Sequence, residues 1–404
     1  MGPRQGGAQS SDLVFAVDQD VVTGALRLTS FHRAVTSTSL DALNTTEGDT
    51  NTPNRAHLAA RIKGWAFELG FTGVGITDTA LGMHPQWLRQ WLARGRHGDM
   101  AYMARHATLR ADPTALRPGT LRIVSVRMDY LPESQVSPVE VLDNPYLGYV
   151  SRYAVGRDYH KVLRNRLQKL ADRLTEAIGP FGYRVYCDSA PVLEKAIAHK
   201  AGLGWIGKHT NLLHRGEGSW FFLAELFTDI DLPIDAPSDN HCGSCTACID
   251  ICPTQAIVGP YELDARRCIA YLTIEHAGTI PVALRPALGN RIYGCDDCQL
   301  ICPWNRYARV SPLPDFALRD GLEAPQLEAL LRWSDETFRA RTEGSAIRRI
   351  GHSRWLRNVA IALGNGPATP GAIAALQARM SHPDELVREH VRWALLRLHE
   401  ASRH

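Results

Sequence analysis

The chain has 404 residues, 45% of them hydrophobic and 22% charged, with a net charge of +3. That length suits two to four domains at roughly 100–200 residues each, and the apolar content is ample for buried cores. No stretch approaches about 18 uninterrupted apolar residues, so no membrane span is predicted.

Residues 1–53 read as a disordered extension. Thr36 to Asn54 is rich in Ser, Thr, Asn and Asp and has no apolar period. Six acids (Asp12, Asp18, Asp20, Asp41, Glu47, Asp49) against three arginines put the segment at −3, so the remainder carries +6. A mildly basic body suits an anionic partner, although many soluble proteins share it. Leu13 to Val22 is broken by Asp18 and Asp20, which argues against a signal-peptide core. A cytoplasmic location is expected.

Arg55 to Leu69 is the first predicted helix, with Leu58, Ile62, Ala66 and Leu69 on one face and Gly70 as its stop. Predicted strands follow at Gly73–Thr77 and Leu121–Leu131. Asp158 to Ile178 is an amphipathic helix striped by Leu163, Leu167, Leu170, Leu174 and Ile178, and Gly179-Pro180 ends it. Tyr183–Cys187 is a strand, a helix starts near Pro191, and Trp220–Ile230 is a further strand. This alternation predicts an α/β domain over 54–235.

Residues 236–310 hold eight of the nine cysteines. Cys242, Cys245, Cys248 and Cys252 form C-x2-C-x2-C-x3-C before Pro253, and Cys295, Cys298 and Cys302 form C-x2-C-x3-C before Pro303. Cys268 stands between them. In two-cluster ferredoxins the last cysteine of such a run ligates the other cluster. The crossed assignment is therefore Cys242, Cys245, Cys248 and Cys302 on one 4Fe–4S cluster, with Cys252, Cys268, Cys295 and Cys298 on the other. Zinc sites usually pair two C-x2-C knuckles, which this is not. Cys187 lies outside the pattern and reads as a buried strand thiol.

Residues 311–404 are predicted helical. Trp355-Leu-Arg-Asn-Val-Ala-Ile-Ala-Leu363 and Val387-Arg-Glu-His-Val-Arg-Trp-Ala-Leu395 align Val359 with Val391 and Ala362 with Ala394, a period of 32. This looks like a pair of HEAT-type helical hairpins, with an ordinary helical subdomain as the alternative. Arg339, Arg341, Arg348, Arg349, Arg354 and Arg357 are interrupted by Glu343 alone. Arg152 to Arg173 is a second basic run. Either can neutralise nucleic-acid phosphates, and either can be a solvated helix face.

Longer motifs carry a resemblance. They are Ser151-Arg-Tyr-Ala-Val-Gly-Arg-Asp-Tyr-His160, Tyr183-Arg-Val-Tyr-Cys-Asp-Ser-Ala-Pro-Val-Leu-Glu-Lys195 and Ala201-Gly-Leu-Gly-Trp-Ile-Gly-Lys-His-Thr-Asn211, then Leu263-Asp-Ala-Arg-Arg-Cys-Ile-Ala-Tyr-Leu-Thr-Ile-Glu275 and Gly294-Cys-Asp-Asp-Cys-Gln-Leu-Ile-Cys-Pro-Trp-Asn305. From about residue 55 onward the chain resembles the epoxyqueuosine reductases, cobalamin-dependent enzymes that finish queuosine synthesis in tRNA. The resemblance implies cobalamin in the α/β domain beside the two clusters, and no histidine ligand to cobalt. Asp158-Tyr-His160 begins like D-x-H-x-x-G but lacks its glycine, and His160 reads as structural. The implied chemistry is a two-electron, two-proton reduction of the epoxide, which leaves an alkene and water and needs a general acid. Asp188 matches the family's acid and sits at the carboxyl end of a predicted strand, where α/β sites lie. A helix start nearby favours its ionised form, so burial would have to raise its pKa. The resemblance further implies Arg105, Ser151, Tyr153, Asp188 and Lys208 as cobalamin contacts.

The reading is an α/β cobalamin-binding domain (54–235), a ferredoxin-like two-cluster domain (236–310) and a HEAT-like, tRNA-binding helical domain (311–404), with Arg348, Arg349, Arg354 and Arg357 on tRNA. A monomer served by an external electron donor is expected. Two alternatives are a corrinoid reductase of small organohalides, which predicts an export signal and no arginine patch, and an iron–sulfur electron carrier, which does not need so large an α/β domain.

Overall fold

The computed structural model describes residues 55–319 and 321–403. The extension expected over 1–53 lies outside the described residues.

Helix α1 (Arg55–Glu68) buries Leu58, Ala59, Ile62 and Ala66, the spacing that puts one stripe on a helix. Gly70, at φ +85°, makes the turn into β1 (Gly73–Thr77). Strand β2 (Arg122–Asp129) follows, then α2 (Tyr159–Ile178), β3 (Tyr183–Tyr186), α3 (Glu194–Lys200) and β4 (Phe221–Thr228). Asp158 caps α2 by accepting the His160 backbone N–H, and Gly179 ends it. The leucine stripe of α2 is buried as expected, except that Ile178 is only partly so.

The four strands form one sheet in the order β1-β2-β4-β3. Strands and helices alternate along the chain as expected, but every pairing in this sheet is antiparallel. Both faces are covered. Val124, Val126, Met128, Ala224 and Leu226 share a core with α1 and α2. Ile123 and Phe227, one residue out of phase, pack with Ile197 of α3. This two-sided cover buries β2 and β4 almost throughout, including Ser125, Arg127 and Asp129 of β2 and Glu225 of β4.

The cysteine segment has short elements: helical turns at Ala247–Asp250 and Asp297–Leu300, a helix at Ile269–Ile274, and a small hairpin of Ile257–Gly259 with Glu262–Leu263. Its strand Arg291–Tyr293 pairs parallel with Tyr149–Val150, which ties the segment to the loop before α2. Ile274, Ile292 and Tyr293 also share a core with the C-terminal helices, so the cysteine segment is packed between its neighbours.

The longest C-terminal helices are Gly351–Gly364 and Glu385–Ala401. Val359, Ala362, Val391 and Ala394, the positions related by the 32-residue period, are all buried. A Cβ at Gly364 would lie 2.8 Å from the Ala394 Cα, so the helices meet at close range there. No helix among the described residues is long and apolar enough to cross a membrane.

Candidate active site and cysteine cavities

Two cavities hold the eight patterned cysteines. A cavity of about 170 Å³ is lined by Cys242, Cys245, Cys248 and Cys302, with Lys208, His209, His241 and Trp304. A second, of about 410 Å³, is lined by Cys252, Cys268, Cys295 and Cys298. The structure thus brings together the same two sets of four that the spacing pairs. Gly243, at φ +52°, lets the first loop turn tightly. Cys268 reaches the second cavity from the N-cap of the Ile269–Ile274 helix. Burial, then the neighbouring Cys302, Cys242 and Cys245, pushes the Cys248 thiol up to about 11. Four thiolates packed this closely need a multivalent cation between them, which an iron–sulfur cubane supplies. Cys187 lies outside both cavities, fully buried at the end of β3.

Asp188 follows β3 directly and has φ +52°, a left-handed conformation unusual for a residue with a side chain. Its Oδ2 accepts from the Tyr159 hydroxyl at 2.6 Å and faces His160 Nε2 at 2.8 Å. The other ring nitrogen, Nδ1, lies 2.7 Å from Asp158 Oδ1. The Asp188 backbone N–H donates to the Glu194 carboxylate. With carboxylates on both sides, His160 holds a proton: burial alone would lower its pKa, but hydrogen bonds to Asp158 and Asp188 carry it up to about 9. For Asp188, burial pushes upward, yet the hydrogen bonds from His160 and Tyr159 and the charge of His160 outweigh it, leaving the carboxyl below its ordinary range. The side chain is 46% exposed. Behind it, burial and then the negative charge of Asp188 raise Glu194 to about 8, and burial holds Glu225 well above the carboxylate range.

Tyr159 connects this cluster of groups to the larger cavity, which it lines together with Ser151, Tyr153, Lys195 and Phe222. Its ring stacks on Phe222 at 4.0 Å and 7°. The Lys195 ammonium finds no hydrogen-bond or ion-pair partner among the described residues, and burial lowers its pKa.

The other expected site residues divide. Ser151 and Tyr153 line the larger cavity. Ser151 also donates to Asp296, which accepts from Tyr149 and the Arg152 backbone as well, so the Ser-Arg-Tyr motif braces the Cys295–Cys298 loop. Lys208 lies at the smaller cavity instead, its Nζ donating to the carbonyls of Gly243 and Cys245 at 2.7 and 2.8 Å. It is a strut of the first cysteine loop. Arg105 is exposed and lines neither cavity. Arg348 is exposed with no partner among the described residues, and Arg349 pairs with Glu275 at 2.6 Å. Arg354 and Arg357 are turned towards the protein. The Arg354 guanidinium donates to the carbonyls of Ile350, Ile274 and Arg349. Arg357 is 0% exposed and donates to those of Leu272, His276 and Gly278. Arg357, fully buried, is closed to a phosphate, whereas Arg354 is half-buried and keeps two N–H donors beyond these three.

Residues missed from sequence include Tyr159, Lys195 and Arg110. Arg110 is buried and points to the Ala190 and Val192 carbonyls of the loop after Asp188. The lysine and tyrosine lay inside the quoted motifs, but Arg110 stands in a short helix with no signal of its own.

Comparison with known proteins agrees with these features. A family described as "4Fe-4S double cluster binding domain" matches residues 241–305, and one described as "Epoxyqueuosine reductase QueG, DUF1730" matches residues 110–189. An epoxyqueuosine reductase of Pseudomonas aeruginosa is 58% identical over 346 residues, covering 85% of this chain and 96% of that protein. One of Escherichia coli is 57% identical over 339 residues, covering 84% and 89%. Among solved structures, an epoxyqueuosine reductase with an epoxyqueuosine-modified tRNA-Tyr stem loop superposes with a TM-score of 0.79 at 29% identity, covering 85% and 91%. A Bacillus subtilis epoxyqueuosine reductase whose catalytic aspartate loop is swung out of the active site gives 0.77 at 28%, with the same coverage.

Proposed function

The chain belongs to the epoxyqueuosine reductase family, and from that premise we propose how its own residues carry the reaction. The enzyme is an oxidoreductase that reduces epoxyqueuosine to queuosine in tRNA, using two 4Fe–4S clusters. Cys242, Cys245, Cys248 and Cys302 hold one cluster. Cys252, Cys268, Cys295 and Cys298 hold the other, next to the substrate.

The larger cavity suits one face of a cobalamin, although at about 410 Å³ it does not enclose the whole cofactor. It is bigger than a cluster alone needs, it has an aromatic wall in Tyr159 and Phe222, and it contains the unpartnered Lys195 ammonium, which suits a phosphate or amide oxygen. Ser151 and Tyr153 lie on the same lining. Bound there, cobalamin supplies a low-valent cobalt centre that delivers electrons to carbon.

The proton chemistry belongs to the chain. Opening the epoxide leaves an alkoxide that must be protonated at once. Asp188 and His160 share one proton, held on His160 at rest. His160 hands it to Asp188, which passes it to the alkoxide, and Asp158 keeps the imidazole aligned; solvent supplies the second proton, which carries the oxygen away as water, and reprotonates His160. Tyr159 fixes the direction of the Asp188 carboxylate. On the tRNA side, Arg348 and Arg349 contact phosphates and the HEAT-like region 311–404 forms the supporting surface.

The observation that carries this reading is Tyr159: it lines the cavity of the second cysteine quartet and hydrogen-bonds Asp188, so electron source and proton donor converge. The test is Asp188→Asn, assayed anaerobically on an epoxyqueuosine stem loop with added cobalamin. Iron and cobalamin content should be retained while turnover falls roughly 100-fold or more. Unchanged turnover would remove Asp188 from the mechanism.

A further inference from the structure

His209 lines both cysteine cavities and is 4% exposed. Its Nδ1 accepts the backbone N–H of Asn211 at 3.0 Å, so the ring proton resides on Nε2. That buried N–H has no hydrogen-bond partner among the described residues. A buried donor without an acceptor is costly and rare in folded proteins, so an acceptor belongs in front of it. The chain also makes room for the ring: a Cβ on Gly207 would sit 3.0 Å from His209 Cε1 and 3.3 Å from Nε2. The acceptors such cavities would offer are the sulfurs of the clusters. A comparable donor already serves the smaller cavity, where Trp205 Nε1–H points to Cys242 Sγ at 3.4 Å.

Resting on the reading that the two quartets hold 4Fe–4S clusters, we propose that His209 donates its Nε2–H to a sulfur of one cluster and thereby raises that cluster's reduction potential. Reduction adds a negative charge to the cluster, so the hydrogen bond is stronger in the reduced state and favours it. His209 is thus a positioning residue that touches the electron path without touching the substrate.

The test is a potentiometric titration followed by electron paramagnetic resonance, on wild type, His209→Leu and His209→Gln with matched iron content. His209→Leu should lower the midpoint of one cluster by about 59 mV, a tenfold change in a one-electron couple, and leave the other in place. His209→Gln keeps an N–H donor and should recover part of the shift. Unmoved midpoints in loaded His209→Leu overturn the proposal. Should His209→Leu fail to load, His241→Ala protein carrying ¹⁵N-histidine answers instead: a weak nitrogen coupling to a reduced cluster supports the bond, and its absence overturns it. Wild-type protein without two reducible clusters would overturn the cluster reading itself, a separate outcome.

Discussion

At the residue scale, the site turns on where one proton is kept. Asp188 was legible in the sequence as an acid at a strand end, and so was the tension between its ionisation and its role. What the sequence could not show was which side wins. The structure leaves Asp188 ionised and stores the proton on His160, because two carboxylates flank that ring. The pH dependence follows. His160 is raised above the ordinary 6.5 to about 9, so the proton is present below about 9 and lost as pH rises through it. Turnover should therefore fall above about pH 9, in a limb that His160→Gln removes along with most of the rate. An alkaline limb unchanged in His160→Gln would place the proton elsewhere. By the same linkage, the stability His160 adds is complete below about pH 6.5 and lost through pH 9.

At the scale of elements, the cysteine runs divide into the two sets that line the two cavities, and this was legible because ligand spacing is local: a tight loop can offer only certain thiols to one cubane face. Cys268 had no such run, and it reaches its cavity from the N-cap of its own helix. Cys268→Ala should accordingly damage one cluster, lowering iron from about eight per chain towards four, whereas Cys187→Ala should leave about eight. Equal loss of both clusters in Cys268→Ala would argue against the assignment. The burial of the arginine segment was not legible, since counting charges says nothing of it. Arg348 is solvent-facing, while Arg357, nine residues on, is enclosed by backbone carbonyls. Arg357→Ala should destabilise the protein by about 3 kcal/mol in chemical denaturation, because buried carbonyls lose their donor. Arg348→Ala should change stability by less than about 0.5 kcal/mol. Equal effects would mean that the burial distinction has no energetic consequence.

At the scale of the whole molecule, the alternation of strands and helices was legible but strand direction was not. Runs of buried positions occur in a parallel sheet and in an antiparallel one covered on both faces, and only the strand pairings, all antiparallel here, separate them. The surface for tRNA likewise depends on assembly. Arg348 and Arg349 lie just before the helix Gly351–Gly364, and the charge of Arg349 reaches Asp188, so Arg349, one of the two arginines proposed to meet phosphates, lies on the side of Asp188. Replacing both arginines with alanine should weaken tRNA binding and reduce the magnitude of its salt slope by about one for each phosphate left without its arginine, with clusters intact. A slope unchanged by the double substitution would move the surface to the basic run of α2. The central claim is that two cysteine-held clusters serve a cobalamin-dependent reduction of tRNA. It is tested most directly by one anaerobic measurement on metal-analysed protein: conversion of an epoxyqueuosine stem loop to queuosine, with and without added cobalamin. The account predicts about eight irons per chain and product only when cobalamin is present. Zinc in place of iron, or product at the same rate in cobalamin-free protein, would contradict it.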